Sequence, residues 1–404
     1  MLLSASEAAE LLGIKLDTLY AYVSRGLLNS VGIADSRQRH YDADDIERFR
    51  ATRGARGKRV PEALMPVIPS SICLIENHRL YYRGYDAVAL AETASLEDVA
   101  AILWDVEGSS AALGLPAASA RPSSRAREEG RGEGRMQLGV IERCQIRLAD
   151  FAAADLAALD LSRAGVARTA YRILGALVSC VGGEVPLPEQ LHARLAAAWR
   201  LDAVGSDLIR RCLVLLADHE LNASTFVARC IASTAATPYA VVSGALAALS
   251  GRRHGGQSAQ VEAMFREMGE VDDPMSAMAA RLSRGEMLPG LGQSLYPQGD
   301  PRARAIIDAL ARARPQPGGR VIAAAAAATR LTGEAPNVDF ALGAVSVALG
   351  LPPGAALGMF LVARSVGWIA HAMEQYETGV LIRPRARYSG RRPDGKADAG
   401  EAVS

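Results

Sequence analysis

The stretch AVVSGALAALSGRRHGGQ, residues 240–257, joins a long apolar run to a loop that holds a single histidine among glycines. The apolar run, Ala240 to Leu249, is typical of a buried helix, and Gly251 is a suitable C-cap for it. Glycines at this density allow close backbone approach or a turn with positive φ. The stretch alone leaves two interpretations of His254 open: its ring is presented to a ligand, or it is incidental to a helix cap and loop.

The composition favours a helical protein with a large core. The chain has 404 residues, half of them hydrophobic and 5% aromatic, which is long enough for two or three domains. A net charge of +1 argues against an overall polyanion-binding surface. The five cysteines are scattered without a CxxC pair, which favours a reducing cytoplasm over a disulfide framework or a metal site. We therefore expect a cytoplasmic protein without a bound metal.

One apolar run, Phe340 to Ala363, resembles a membrane span in composition. Pro352-Pro353 and several glycines interrupt it, so each arm is shorter than the roughly 20 residues that a span requires. The run therefore predicts two buried helices that meet at a Pro-Pro turn. The N-terminal residues lack the positively charged start of a signal peptide, and we expect no membrane partner.

Residues 1–52 predict a small independent module. Ser4-Ala5-Ser6-Glu7 has the form of a capping box that opens a helix through Leu12. A second helix is predicted from Asp17 to Arg25, and Arg37 to Tyr41 precedes a third. The string SASEAAELLGIKLDTLYAYVSRGLL, followed by RQRHY and DADDIERF, resembles the winged helix-turn-helix of the MerR and excisionase type.

In that family the second helix enters the DNA major groove and the wing contacts the phosphate backbone. The residues expected to contact DNA by this resemblance are Lys15, Thr18, Tyr20, Arg25, Arg37 and Arg39. Ten Lys/Arg against eight Asp/Glu over Met1 to Arg59 give only +2, which is small for a dedicated DNA binder. The module is therefore either a DNA-binding domain or a packing or dimerisation element.

The rest of the chain reads as one long helical body. Residues 53–66 predict a basic linker, and the runs Ile68 to Ile75 and Leu80 to Tyr85 predict a hairpin that turns at Asn77-His78. Helices follow from Asp86 onward, interrupted by a low-complexity insert at 108–135 that we expect to be mobile. We expect a disordered tail over 391–404, and the fold class is all-α.

Polar side chains recur at the ends of apolar helices, where burial is costly unless each finds a partner. The segments that contain them are 218–226, 288–296, 300–302, 337–340, 364–371 and 383–385. Two histidines, one acid and several arginines in such places indicate a functional site.

From about Val60 to Gly390 the chain resembles the citrate synthases. DHELNASTFVAR, GRRHGG, LPGLGQSLYPQGDPRA, NVDF, ARSVGWIAHAMEQ and RPRARY occur in the order that the family has. The resemblance implies large and small helical domains within residues 67–390, with the small domain at about 225–335, behind the winged helix-turn-helix domain.

The resemblance also implies an acyltransferase that condenses acetyl-CoA, or propionyl-CoA, with oxaloacetate and releases CoA. Acyl-CoA is then a substrate, and no cofactor is expected. Asp339 is the implied base that removes a methyl proton, and His254 hydrogen-bonds the thioester oxygen. The residues implied to bind oxaloacetate are His219, Arg302, Arg364 and Arg383. In the family, the arginine at the Arg383 position crosses a dimer interface, which implies a homodimer.

The chain departs from the family at Gln293, where a histidine polarises the oxaloacetate carbonyl. A glutamine amide donates a hydrogen bond but carries no charge, and losing one charged donor costs on the order of 10²–10³-fold in rate. Ser294 replaces a neighbouring arginine, and Gln257 stands where the family has alanine. Two alternatives follow: a catalytically impaired metabolite sensor that regulates transcription through the helix-turn-helix, or condensation with a different 2-oxo acid.

Overall fold

The computed structural model describes residues 2–12, 19, 23, 31–32, 39–43, 46, 68–106, 138–183, 190–269 and 273–386. The predicted basic linker, the insert at 108–135 and the tail at 391–404 lie outside the described residues, as does nearly all of the second helix of the predicted module.

The chain divides into two compact units. The first unit comprises Met1–Ser71 and Gln257–Ala356, and the second comprises Ile72–Gly256 and Leu357–Ser404. The domain limits inferred from the sequence stay a prediction.

Among its described residues, the N-terminal module contains three short antiparallel strands and one helix. Strand β1 (Leu2–Ser4) leads into α1 (Ala5–Leu12), and the sheet order is β1-β3-β2 with β2 at Val31–Gly32 and β3 at Arg39–Asp42. The predicted capping box is confirmed, since Ser4 N donates to Glu7 Oε2 at 2.8 Å and Glu7 N donates to Ser4 Oγ at 3.3 Å. The sequence did not predict β1, because a three-residue strand is too short to show alternation.

A three-stranded antiparallel sheet opens the second unit. It comprises β4 (Cys73–Glu76), β5 (Arg79–Tyr82) and β6 (Tyr85–Asp86). Asn77 and His78 have φ of 50° and 59°, so both adopt the left-handed conformation that a two-residue hairpin turn requires. The predicted hairpin is confirmed, and β6 is an additional strand that the sequence did not indicate.

The other regular elements described in the second unit are helical. They are α2 (Ala87–Thr93), α3 (Leu96–Trp104), α4 (Val140–Ala154), a 3₁₀ turn (Leu156–Leu159), α5 (Arg163–Gly182), α6 (Leu191–Ala198), α7 (Ala203–Leu216), α8 (Ala223–Ala232) and α9 (Pro238–Leu249). Side-chain caps set many of the starts, as at α3, where Ser95 and Asp98 form a capping box.

The elements described in the first unit after the module are also helices. They are α10 (Gly256–Met268), α11 (Pro274–Ser283), α12 (Pro301–Ala313), α13 (Pro315–Thr332) and α14 (Val338–Ala348), and α15 (Ala355–Thr378) begins at the unit's end and continues through the second unit. Helices α14 and α15 flank Pro352-Pro353, which confirms the two helices predicted for the apolar run.

Two described helices, α5 and α15, are long and apolar enough to cross a membrane by length and composition alone. The apolar window of α15 is 94% buried inside the protein and that of α5 is 61% buried. A core helix meets the same criteria, so these two helices are weak evidence for a membrane protein.

Helices α10 and α14 cross at Gly343, where their backbones come into close contact. A Cβ added to Gly343 would lie 2.5 Å from Val261 Cγ1 and 2.9 Å from the backbone nitrogen of Glu262. The backbone atom cannot rotate away, so this crossing requires glycine.

We expect Gly343→Ala to destabilise the protein by about 1–3 kcal/mol, because the added methyl group overpacks the helix crossing. Gly319→Ala is the matched control: a Cβ at this helical glycine of α13 would meet nothing within 4 Å, and the substitution should be neutral or slightly stabilising. Denaturant unfolding followed by circular dichroism measures both. Equal stability of the two variants would contradict the close crossing.

Candidate active site

His254 lies in a tight turn that follows α9. Its backbone N–H donates to Gly251 O at 2.9 Å. The glycines of this turn do not have positive φ. Close packing requires glycine at residue 255 instead, since a Cβ on Gly255 would lie 2.7 Å from the carbonyl oxygen of Leu249. Helix α9 is capped by Ser250, one residue before the predicted cap.

The imidazole ring of His254 is half-buried in the second unit. Its Nε2 lies 2.7 Å from Ser224 Oγ, and the ring meets Phe360 edge to face with centroids 5.9 Å apart. Burial, together with the positive charge of Arg364, lowers the pKa of His254 from 6.5 to about 4. The ring is therefore neutral at pH 7 and carries one N–H.

The hydroxyl of Ser224 decides which ring nitrogen carries that hydrogen. Ser224 Oγ accepts from Trp368 Nε1–H at 3.1 Å. Its own hydrogen reaches either Asn222 Oδ1 at 2.8 Å or His254 Nε2 at 2.7 Å. When it goes to His254, the ring hydrogen lies on Nδ1, which can then donate to a ligand. When it goes to Asn222, the ring hydrogen lies on Nε2.

The loop at 217–222, between α7 and α8, is held against α15. Gly367 N donates to Ala217 O at 3.0 Å, and a Cβ on Gly367 would lie 2.3 Å from Asp218 Oδ1. Tyr82 OH reaches the carbonyl oxygen of Asp218 at 3.4 Å. His219, predicted to bind oxaloacetate, lies in this loop and is buried.

A chain of buried polar groups supports the same loop. Asp218 is 0% exposed, and its Oδ1 lies 3.4 Å from His371 Nε2. On the other side of the ring, Arg229 Nη1 lies 3.2 Å from His371 Nδ1, and Arg229 also pairs with Glu374. Because a guanidinium only donates, His371 Nδ1 must accept, and the ring hydrogen lies on Nε2 facing Asp218.

The predicted arginines of the second unit differ in their surroundings. Arg364 is buried, its Nε donates to Leu216 O at 2.9 Å, and its guanidinium lies 4.8 Å from the centre of the Phe360 ring. Phe360 therefore contacts both Arg364 and His254. Arg383 follows α15 in an exposed irregular segment. The second unit thus brings together His254, Arg364 and the loop that carries His219.

Asp339 lies in the first turn of α14, in the first unit. Asn337 caps this helix, because its Oδ1 accepts from Asp339 N at 3.0 Å and from Phe340 N at 3.4 Å. Ser258 of α10 donates its hydroxyl hydrogen to Asp339 Oδ1. A carboxylate at a helix N-terminus is also stabilised by the helix dipole.

The loop at 288–296, which carries Gln293, is tied to the start of α14. Asn337 N donates to Gly290 O at 2.9 Å. Gly290 has φ of 78°, and a Cβ there would lie 2.8 Å from Phe340 N, so the position requires glycine. Gly290 N donates to Gln257 Oε1 at 3.2 Å, which ties the loop to α10 as well.

Two further predicted site residues lie in the first unit. Gln293 is half-buried, and its Oε1 accepts from Leu295 N at 3.4 Å, a long hydrogen bond. Arg302 is buried, and its Nε and Nη2 donate to the two carboxylate oxygens of Asp300 at 3.0 and 2.7 Å. Asp300 also accepts a hydrogen bond from Val338 N at 3.1 Å, which links the Asp300–Arg302 ion pair to the first residue of α14.

Sequence reasoning assigned no role to Ser224, Trp368 or Ser258. Ser224 and Trp368 lie in two of the polar segments that the sequence indicated as parts of a site. Their position in those segments was the only sequence signal for a role. Ser258 follows the HGGQ motif without such a signal, because only the fold brings it to Asp339. Of the predicted DNA contacts, Arg39 lies in β3, and nothing is described of its side chain. The others lie outside the described residues: Lys15, Thr18, Tyr20, Arg25 and Arg37.

Two family models and several known proteins match this chain. Residues 63–385 match the family model "Citrate synthase, C-terminal domain", and residues 2–54 match a "Helix-turn-helix domain". The 2-methylcitrate synthase of Mycobacterium tuberculosis is 31% identical over 361 residues, which cover 81% of this chain and 87% of that protein. The chain belongs to the citrate synthase family.

Other relatives match over shorter lengths. The citrate synthase of Haloferax volcanii is 42% identical over 185 residues, which cover 44% of this chain and 48% of that protein. Citrate synthase 2 of Bacillus subtilis is 33% identical over 55% of this chain and 57% of its own length. The chain therefore spans about half the length of these two relatives.

Solved structures share the fold. Citrate synthase from Thermotoga maritima is 26% identical with a TM-score of 0.65, covering 81% of this chain and 94% of that one. A ternary complex of carboxymethyl coenzyme A and oxaloacetate with the citrate synthase of Thermoplasma acidophilum has a TM-score of 0.61 over 83% of this chain and 97% of that one. At 23% identity, the second likeness concerns the fold alone.

The lowered pKa of His254 predicts a pH-dependent stability. The unfolded chain binds a proton at this histidine more readily than the folded state does. The free energy of unfolding therefore falls as the pH falls from about 6.5 to about 4. We expect His254→Gln to lose less stability than the wild type over this interval. Urea unfolding at several pH values measures the difference, and parallel curves for the two proteins would contradict it.

Proposed function

We propose that this protein condenses an acyl-CoA with oxaloacetate and releases CoA, as an acyltransferase of the citrate synthase type. The observation that carries the proposal is the environment of His254. Its ring is neutral, and Ser224 fixes the ring through Nε2. That arrangement suits a donor aimed at a thioester oxygen, because a neutral imidazole with its hydrogen on Nδ1 can stabilise the developing enolate charge.

The proposed reaction begins with proton removal from the acyl carbon next to the thioester. Asp339 takes that proton, and the thioester oxygen gains charge while His254 donates a hydrogen bond to it. The enol carbon then attacks the carbonyl carbon of oxaloacetate: a carbon–carbon bond forms, the carbonyl π bond breaks, and the carbonyl oxygen takes up a proton from water to become a hydroxyl. Water finally cleaves the thioester, which leaves a tricarboxylic acid and free CoA.

Oxaloacetate brings two carboxylates to the site, and guanidinium groups hold carboxylates through paired hydrogen bonds. Arg302, Arg364 and Arg383 are the proposed partners, with His219 as a further binding group. Arg302 is already paired with Asp300, so it presents a fixed guanidinium plane. Arg383 is exposed beyond α15, as a residue that crosses to a partner subunit must be. We propose a homodimer on that basis.

Gln293 is the residue that limits the proposed reaction. With its Oε1 turned toward Leu295 N, its NH₂ group is the remaining donor for the carbonyl of oxaloacetate. That donor is neutral and cannot return a proton at neutral pH. The choice between acetyl-CoA and propionyl-CoA is tested by assaying both acyl-CoAs with oxaloacetate.

Asp339→Asn is expected to abolish CoA release while oxaloacetate affinity stays within about twofold of the wild type, since only the base is removed. Thiol release measured with acetyl-CoA and propionyl-CoA gives the rate, and calorimetry gives the affinity. If the variant still turned over, Asp339 would not be the base. If wild-type protein bound oxaloacetate but released no CoA, the proposed reaction itself would be rejected.

Gln293→His is expected to raise kcat by about 10- to 100-fold, because it restores a donor that carries charge and exchanges protons. Gln293→Ala is the matched variant that removes the donor, and it should lower kcat below the wild type. The same thiol-release assay measures both. A kcat that stays the same in both variants would show that residue 293 does not contact the reacting carbonyl.

A second candidate function is a metabolite sensor that acts on transcription. The helix-turn-helix match over residues 2–54 and the neutral Gln293 favour it. It requires salt-dependent binding of the full chain to DNA upstream of its own coding sequence, with an affinity that changes when oxaloacetate or acyl-CoA is added. Absence of binding at low salt would remove this candidate. Both candidates are compatible with a cytoplasmic protein, which stays a prediction.

A further inference from the structure

We propose that Ser258 is a positioning residue that sets the orientation of the Asp339 carboxylate; this rests on the function proposed above. Ser258 lies in the first turn of α10 and is 0% exposed. Its hydroxyl donates a hydrogen bond to Asp339 Oδ1, across from α10 to the first turn of α14. A serine hydroxyl has one hydrogen to give, and here Asp339 receives it.

Close packing of α10 against α14 fixes the distance between Ser258 and Asp339. Helices α10 and α14 approach so closely at Gly343 that a Cβ would lie 2.9 Å from Glu262 N. Phe265 of α10 and Phe340 of α14 also stack edge to face, with centroids 5.1 Å apart. Because neither helix can slide without losing these contacts, the Ser258 hydroxyl stays within reach of Asp339.

The hydrogen bond has a chemical consequence for a base. Fixing one carboxylate oxygen limits rotation about the side-chain torsions of Asp339, so the direction of the other oxygen is fixed as well. A neutral hydroxyl achieves this without an opposing positive charge, whereas a lysine or arginine at residue 258 would hold the carboxylate by cancelling its charge. Ser258 therefore orients the base without placing a positive charge beside it.

The backbone supports the same arrangement from the other side. Asn337 Oδ1 accepts from Asp339 N at 3.0 Å, which sets the main chain from which the carboxylate extends. Asn337 thus positions the backbone of Asp339, and Ser258 positions its side chain. The neighbouring Gln257 binds Gly290 N, so the first turn of α10 contacts both the base and the loop of Gln293.

The test compares Ser258→Ala with Ser346→Ala. Ser346 lies on α14, is 0% exposed, and its hydroxyl has no hydrogen-bond partner among the described residues. Each variant thus removes one buried hydroxyl from the same helix pair, and only Ser258→Ala removes a contact with Asp339. Thermal melting of both variants shows whether they are folded.

Steady-state kinetics by thiol release then separates positioning from stability. We expect Ser258→Ala to lower kcat by about 10- to 100-fold with KM for both substrates within about twofold of the wild type, because a misdirected base affects the transition state alone. Ser346→Ala should leave kcat and KM within about twofold of wild type. A Ser258→Ala variant with wild-type kcat would overturn the proposal.

Crystal structures of the wild type and Ser258→Ala provide a readout that does not depend on turnover. The Asp339 side chain is expected to change rotamer or to occupy several in the variant, and an unchanged, well-ordered carboxylate would overturn the proposal. If the wild type binds both substrates but releases no CoA, the proposed reaction fails. The crystal structures still decide whether Ser258 orients Asp339.

Discussion

The fully buried carboxylate of Asp218 is the constraint on which much of the second unit depends. A charge without access to solvent costs several kcal/mol unless hydrogen bonds and opposite charge compensate it. His371 faces one oxygen, Glu220 N donates to the other at 3.1 Å, and Arg229 reaches the far side of the His371 ring. Helix α8, helix α15 and the loop at 217–222 must therefore fold together, because each supplies part of this compensation.

The same face of α15 also supports the candidate site. Phe360, Arg364, Trp368 and His371 follow one another at spacings of three or four residues, which places them along one side of a helix. Phe360 contacts His254, Arg364 binds the end of α7, and Trp368 donates to Ser224. Helix α15 thus positions both His254 and the loop that carries His219. The same contacts therefore stabilise this unit and set the geometry of the site.

In the first unit the corresponding constraint is close backbone approach. Gly343 and Gly290 each occupy a place where a side chain would meet a backbone nitrogen at 2.9 or 2.8 Å. Their absence of side chains lets α10, α14 and the loop at 288–296 converge near Asp339. Polar contacts then define the local geometry, through Asn337 at the helix start and Ser258 from the facing helix.

The sequence by itself determined the helical class, the capping box at Ser4, the hairpin at Asn77-His78 and the two helices around Pro352-Pro353, because caps, turns and apolar periodicity are local signals. The motifs also pointed to the family. Only the tertiary structure decided that Ser224 and Trp368 hold His254, and that Ser258 reaches Asp339. The contacts to His254 and Asp339 join residues more than 25 positions apart in the chain. Helix packing creates such contacts, and no local pattern predicts them.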